Sequence, residues 1–185
     1  FSRSSSGTVD GAFIIGESCG ATIPLRPAGR TSTATSIRRA ARTPRTRSLG
    51  GQATLMLSEP LLEAYRKVPL IEPLAKQLKL KKAKMDDVLK AYAQASEAGV
   101  ADVTTAATFQ TAALYQDFGK ALIGSQRPKK LSKMELEQYN VMLEEQAFPF
   151  EEKAIELHET NARRTTQGLW DDSVKKSLAE LAKLG

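Results

Sequence analysis

The sequence has 185 residues, of which 41% are hydrophobic and 26% charged, and its formal net charge is +6. Cys19 is the only cysteine, which excludes an internal disulfide and a metal site built on several cysteines. No apolar run approaches the roughly 18 residues of a spanning helix, so we expect no transmembrane segment in this chain. Because the sequence starts at Phe1 rather than Met, we expect it to be a piece of a longer protein.

The basic excess lies entirely in the first 50 residues. They contain eight arginines and no lysine, with Asp10 and Glu17 as the only acids, so their net charge is +6. Residues 51–185 contain 19 basic and 19 acidic residues, and all 15 lysines lie among them. This change from arginine to lysine indicates two segments of different origin.

Residues 1–56 have the composition of a disordered leader. The first 50 residues include 15 Ser or Thr, and their apolar side chains follow neither a helical nor a strand period. We therefore predict a disordered segment over 1–56 and a helical domain over 57–185. Three functional interpretations stay open for the leader, namely an organelle transit peptide, a nucleic-acid-binding segment and an anionic-membrane-binding segment. A fourth is that it is not native to the domain.

From Leu57 the pattern becomes helical. Ser58 and Pro60 have the residue types of a helix start, and Pro69 and Pro73 interrupt the chain, so we predict short helices over 59–67 and 71–81. The run KLKKAK at 79–84 is interpreted as a solvated, positively charged helix face.

Two helix pairs are predicted after this point. In the first, residues 82–99 place an apolar row on one face and stop at Gly99, and residues 103–125 form the second helix after Asp102 as a cap. The apolar row consists of Met85, Val88, Leu89, Tyr92 and Ala95.

The second pair starts at Ser132, which stands three residues before Glu135, the spacing of a capping box. Its apolar residues include Met134, Leu136, Tyr139, Val141, Met142 and Leu143. Pro149 is predicted to begin another helix that Gly168 closes, and a final helix follows over 171–184.

This order of elements predicts the fold class. No stretch beyond Pro60 alternates with the period of two that a half-buried strand requires. Consecutive amphipathic helices joined by short turns are typical of repeat architectures. We therefore predict an all-α fold of antiparallel helix pairs that stack as an α-solenoid.

Three stretches resemble the C-terminal region of tetratricopeptide-repeat proteins of Gram-negative bacteria, a group found in cell-envelope and gliding-motility contexts. They are residues 104–132, residues 137–164, which contain LEEQAFPFEEKAIELHETNARR, and the ending SVKKSLAELAKL at 173–184. The resemblance implies helical repeats, no catalysis, and a location in the bacterial cell envelope or periplasm. The helix pairs lack the generic Trp, Leu-Gly and Tyr signature of the repeat.

The sequence offers little for catalysis. His158 is the only histidine and Cys19 lies in the predicted leader, so a nucleophile activated by a base is not expected. The glutamates at 152, 156 and 159 form a stripe that we interpret as a solvated face, with a hard-cation site or a glutamate-based enzyme as the alternatives. We predict no enzyme activity, no cofactor and no metal.

The remaining interpretation is a scaffold that binds proteins. The candidate protein-interaction residues lie in the last two helix pairs, where core packing is the alternative role for the aromatic ones. These candidates are Tyr139, Phe148, Phe150, His158, Asn161 and Trp170. The expected partners are proteins. Nucleic-acid or anionic-membrane binding through the Arg-rich segment is the alternative function.

Overall fold

The computed structural model describes residues 43–184, and these residues contain helices and no strand, which confirms the all-helical prediction. The helices are α1 (Pro44–Leu57), α2 (Glu59–Arg66), α3 (Leu74–Ser96), α4 (Ala101–Ile123), α5 (Lys133–Arg163) and α6 (Asp172–Leu184), with a 3-10 turn at Arg164–Gln167. Connections are short, and the longest joins α4 to α5 over residues 124–132.

Helix α4 lies at the centre of the structure. It packs against α1, α3, α5 and α6, and its contact with α5 is the most extensive between any two helices of the described chain. Gly119 near the end of α4 lies close to Ala147 in the middle of α5, whereas the Thr105 carbonyl near the start of α4 accepts a hydrogen bond from Asn161 late in α5. The two helices are therefore antiparallel.

The hydrophobic core lies around the C-terminal half of α4. Its fully buried members come from α2, α3, α4 and α5, which brings distant parts of the sequence together. They include Tyr65, Met85, Val88, Tyr92, Leu114, Phe118 and Ala147. The predicted apolar row of α3 is confirmed, with Leu89 only partly buried.

Helix α1 corrects part of the predicted leader. The hydroxyl of Thr43 accepts a hydrogen bond from the backbone N–H of Thr46, and Pro44 occupies the first turn, where its missing N–H has no cost. Gly51 is buried against Ala98 and Val103. The predicted disorder is therefore wrong for residues 44–56, because a capped helix with a small contact residue packs on α3 and α4. Residues 1–42 lie outside the described chain.

Two predicted helix boundaries are also wrong. Helix α3 starts at Leu74, directly after Pro73, and it runs without a break from there through residue 82. Helix α5 is 31 residues long and continues through Pro149. Pro149 is exposed, whereas Ala147 and Ala154 on either side of it are buried, so packing on α4 maintains the helix across the lost hydrogen bond.

Several helix ends follow the predicted chemistry. The backbone N–H of Glu135 donates to the Ser132 hydroxyl, and the backbone N–H of Ser132 donates to the Glu135 carboxylate, which confirms the capping box. Gly99 and Gly168 have φ angles of 66° and 78°, a conformation that favours glycine at a helix end. The Ser58 hydroxyl instead donates backwards to the carbonyl of Leu55, so it does not cap α2.

Lys81 corrects the interpretation of 79–84 as a solvated face. Its side chain is only 6% exposed, and its Nζ donates to the backbone carbonyls of Tyr65 and Val68 at 3.2 and 3.0 Å. The ammonium also lies 4.2 Å from the centre of the Tyr65 ring. Burial lowers the pKa of Lys81, with an opposing effect from Asp117. The lysine thus attaches the end of α2 to α3.

We expect Gly51→Ala and Gly50→Ala to have opposite effects on stability. A Cβ at residue 51 would lie 2.8 Å from Cγ1 of Val103, a stiff β-branched side chain, so overpacking should lower the free energy of unfolding by about 1–3 kcal/mol. At Gly50 a Cβ meets nothing within 4 Å, and alanine should stabilise the helix by about 0.5–1 kcal/mol. Urea unfolding followed by circular dichroism measures both, and equal stabilisation would contradict the packing of α1.

Candidate protein-interaction surface

The N-terminal half of α5 has one covered side and one exposed side. Leu143 and Ala147 are buried against the core. On the other side Met134, Val141 and Phe148 are 71%, 54% and 57% exposed. Their spacing of seven residues aligns them along the helix at intervals of about 10.5 Å. We call these three side chains the outer row.

The outer row lies in a negatively charged stretch. Residues 134–152 contain six glutamates and neither Lys nor Arg. Glu137, Glu144 and Glu145 are exposed. Backbone and side-chain hydrogen bonds with Ser132 lower the pKa of Glu135, which keeps that carboxyl ionised. The surface therefore combines exposed apolar side chains with a negative electrostatic field.

A buried polar cluster connects α5 to α4 and α6. Asn161 is fully buried, and its Nδ2 donates to the Thr105 carbonyl at 3.0 Å and to the Ser177 hydroxyl at 2.9 Å. Its Oδ1 accepts from Arg164, which also donates to the Thr108 hydroxyl at 3.0 Å. Every polar atom of the Asn161 side chain is thereby partnered, so the cluster sets the register of three helices.

Asp171 extends this cluster to the start of α6. Its carboxylate accepts hydrogen bonds from the Thr105 hydroxyl and from the backbone N–H of Val174, the latter at 2.9 Å. An acid at a helix start also complements the helix dipole. One carboxylate therefore caps α6 and joins it to α4.

His158 is buried one turn before Asn161. Its side chain is 0% exposed, neither ring nitrogen has a hydrogen-bond partner among the described residues, and its ring lies 5.6 Å from that of Phe109. Burial lowers the pKa of His158, with an opposing effect from Glu180 on α6. The imidazole is thus held neutral in an apolar site.

A separate cleft of about 260 Å³ lies between α2, α3 and α4. Its lining combines the apolar Leu62 and Phe109 with the charged Glu59, Arg66 and Asp117. The cleft lies among helices that contribute none of the six predicted interaction residues.

The six predicted interaction residues do not form one surface. Phe148 and Trp170 are 57% and 61% exposed and can contact a partner, and Tyr139 is half-buried. Phe150 packs 4.6 Å from the Phe118 ring at the edge of the core. The side chains of His158 and Asn161 are fully buried, so a partner protein cannot contact them in this structure.

The exposure of Met134 and Val141 is not part of the sequence-based prediction, which names them only among the apolar residues of the helix that starts at Ser132. Both side chains are exposed. The signal that could have separated them is their spacing: 134, 141 and 148 repeat every seven residues, away from Leu143 and Ala147. In the described chain the short helix α6 packs against α5 beside Asn161.

Two further properties concern residues 43–184 only. No helix in this range combines the length and the apolar character needed to cross a bilayer. No group of three or more His, Cys, Asp or Glu side chains in the same range is placed to hold a metal ion.

Comparison with known proteins identifies no relative. No protein-family model matches the sequence, and neither a curated protein nor a solved structure matches it significantly. The resemblance to tetratricopeptide-repeat proteins therefore stays a prediction.

We expect Asn161→Ala to destabilise the fold. The substitution removes the Asn161 hydrogen bonds to the Thr105 carbonyl and the Ser177 hydroxyl, and it removes one of the two acceptors of Arg164. The free energy of unfolding should therefore fall by about 1–3 kcal/mol. Gln146→Ala removes an exposed amide from the same helix and should change it by less than about 0.5 kcal/mol. Urea titration of the two variants makes the comparison, and an equal effect would show that the cluster contributes nothing to stability.

We expect His158 to make the fold acid-sensitive below about pH 6.5, its ordinary pKa in an unfolded chain. Because the folded pKa is lower, the unfolded state binds more protons, so stability is full above this pH and falls as the pH drops towards the folded pKa. Glu135 and Glu180 also have lowered pKa values, but their protonation lowers the stability of the fold only below about pH 4.5.

The measurement is the free energy of unfolding between pH 7.5 and pH 5.5 for the wild type and for His158→Leu. The wild type should lose stability over this interval with a slope of at most about 1.4 kcal/mol per pH unit, and the variant should have a smaller slope. Parallel curves for the two proteins would show that His158 is not the titrating group.

Proposed function

We propose that this chain is a non-catalytic protein-interaction scaffold, a C-terminal tetratricopeptide-like helical-repeat module of a bacterial envelope-associated protein. The observation that supports this most directly is the outer row, where three large apolar side chains stay more than half exposed on a well-packed helix. Exposed apolar side chains that share one side of a helix and are bordered by polar residues fit a protein-binding surface.

The order of the helices supports a repeat architecture. Helix α4 packs between α3 on one side and α5 on the other, and consecutive helices are joined by short turns. In stacked repeats each repeat contacts its neighbours, and a surface that the stack leaves open binds partners. The outer row lies on a side of α5 that α4 leaves exposed.

The bacterial and envelope parts of the proposal come from the resemblance alone. The stretches that carry it, residues 104–132, 137–164 and 173–184, form most of α4, α5 and α6. They include Thr105, Asn161 and Ser177 of the buried polar cluster, and Val141 and Phe148 of the outer row.

The alternative is binding of nucleic acid or an anionic membrane through the Arg-rich segment. Arg45 and Arg47 are exposed on α1, and the net charge of residues 1–50 is +6. Such binding would depend on the arginines, would weaken steeply with salt, and would not depend on the outer row.

A photo-cross-linking experiment tests the scaffold function. A photoreactive phenylalanine analogue replaces Gln138, which is exposed between Met134 and Val141, or the equally polar Gln94, exposed on α3. The full chain is irradiated in nuclease-treated envelope extracts of Gram-negative bacteria, and mass spectrometry identifies the products. We expect a small set of proteins to be cross-linked at residue 138 and not at residue 94.

Products that are absent, or identical at the two positions, would contradict the scaffold function. Products that form only when the nuclease treatment is omitted, or that require the arginines before residue 50, would support the alternative.

A further inference from the structure

We propose that the outer row of α5 docks a basic amphipathic helix, one that presents an apolar stripe bordered by Lys or Arg. This inference rests on the proposed scaffold function and adds the chemistry of the partner. It is carried by the spacing of the exposed apolar residues and by the sign of the charge around them.

The spacing selects a helix as the partner. Met134, Val141 and Phe148 recur every seven residues, the repeat with which one helix packs along another. The row spans about 21 Å, which a partner helix of four turns covers. An extended peptide would present side chains about 6.6 Å apart on one face and would not match this interval.

The charge selects a basic partner. Six glutamates and no cation lie in residues 134–152, and Glu137, Glu144 and Glu145 are exposed beside the outer row. Lysines or arginines that border an apolar stripe would reach these carboxylates while the stripe covers Val141 and Phe148. Charge pairs at the rim of an interface increase the association rate and the specificity of binding.

The same charges disfavour two other binding partners, namely a second copy of this chain and an anionic membrane surface. Two copies of α5 packed row against row would place glutamates against glutamates, and like charges across an interface oppose association. An anionic membrane surface would likewise repel this stretch. A basic helix satisfies both the apolar spacing and the charge.

The test uses the full chain and two labelled synthetic helices of about 21 residues with the same leucines at the a and d positions of a heptad repeat. The basic peptide has lysine at the bordering positions, and the control peptide has glutamate there. Fluorescence anisotropy should give an affinity for the basic peptide that is at least about tenfold higher, and raising the salt from about 50 to 500 mM should reduce this difference.

Variants localise the binding. Val141→Gln together with Phe148→Gln should weaken binding of the basic peptide at least about tenfold, because the central apolar contacts are lost. Met56→Gln together with Leu57→Gln removes two side chains that are 77% and 76% exposed on α1 and should change the affinity less than about twofold. Thermal unfolding of all variants verifies that they are folded.

A second pair of variants tests the charge. Glu144→Gln with Glu145→Gln should weaken binding at low salt and reduce its salt dependence, whereas Glu97→Gln, an exposed glutamate on the other side of α4, should not. Equal binding of the two peptides, or wild-type affinity in the Val141 and Phe148 double variant, would overturn the docking site.

The scaffold function is separated from this inference by repeating the cross-linking at residue 138 with the Val141→Gln, Phe148→Gln chain. Loss of the cross-linked proteins supports the docking site. Unchanged capture of the same proteins overturns the docking site and leaves the scaffold function standing.

Discussion

The close packing of α4 against α5 is the contact on which the rest of the structure depends. Small residues occur on both sides of it, with Ala112 and Gly119 on α4 facing a side of α5 that contains Ala147 and Ala154, and all four are buried. Small side chains let the two backbones approach closely over a long distance, which maximises dispersion contacts. Because one side of α5 is occupied in this way, its opposite side must face outwards.

Two chemically different devices strengthen this packing at its two ends. Towards the end of α4, apolar rings and aliphatic side chains around Phe118 exclude water. Towards the end of α5, the amide of Asn161 and the guanidinium of Arg164 satisfy buried polar atoms of α4. Apolar packing tolerates small shifts, whereas buried hydrogen bonds do not, so the polar end determines the register.

The continuity of α5 has a functional consequence. Because α5 runs through Pro149, the outer row and Asn161 lie on one helix, so the register that is set at Asn161 also holds for the outer row. The helix continues because its buried face is held on both sides of the proline, at Ala147 and Ala154. The cost of an internal proline, about 3 kcal/mol, is thus offset by tertiary packing.

The sequence by itself determined the helical class, the capping box at Ser132, the glycine ends at Gly99 and Gly168, and the buried face of α3, because each depends on neighbours within a few residues. Tertiary structure decided what local patterns leave open. Whether Lys81 is solvated, whether Pro149 ends a helix, and which apolar residues of α5 are covered all depend on residues distant in the chain. Those contacts form only when α4 packs against its neighbours. The seven-residue spacing separates two sides of α5, but it does not indicate which side is covered.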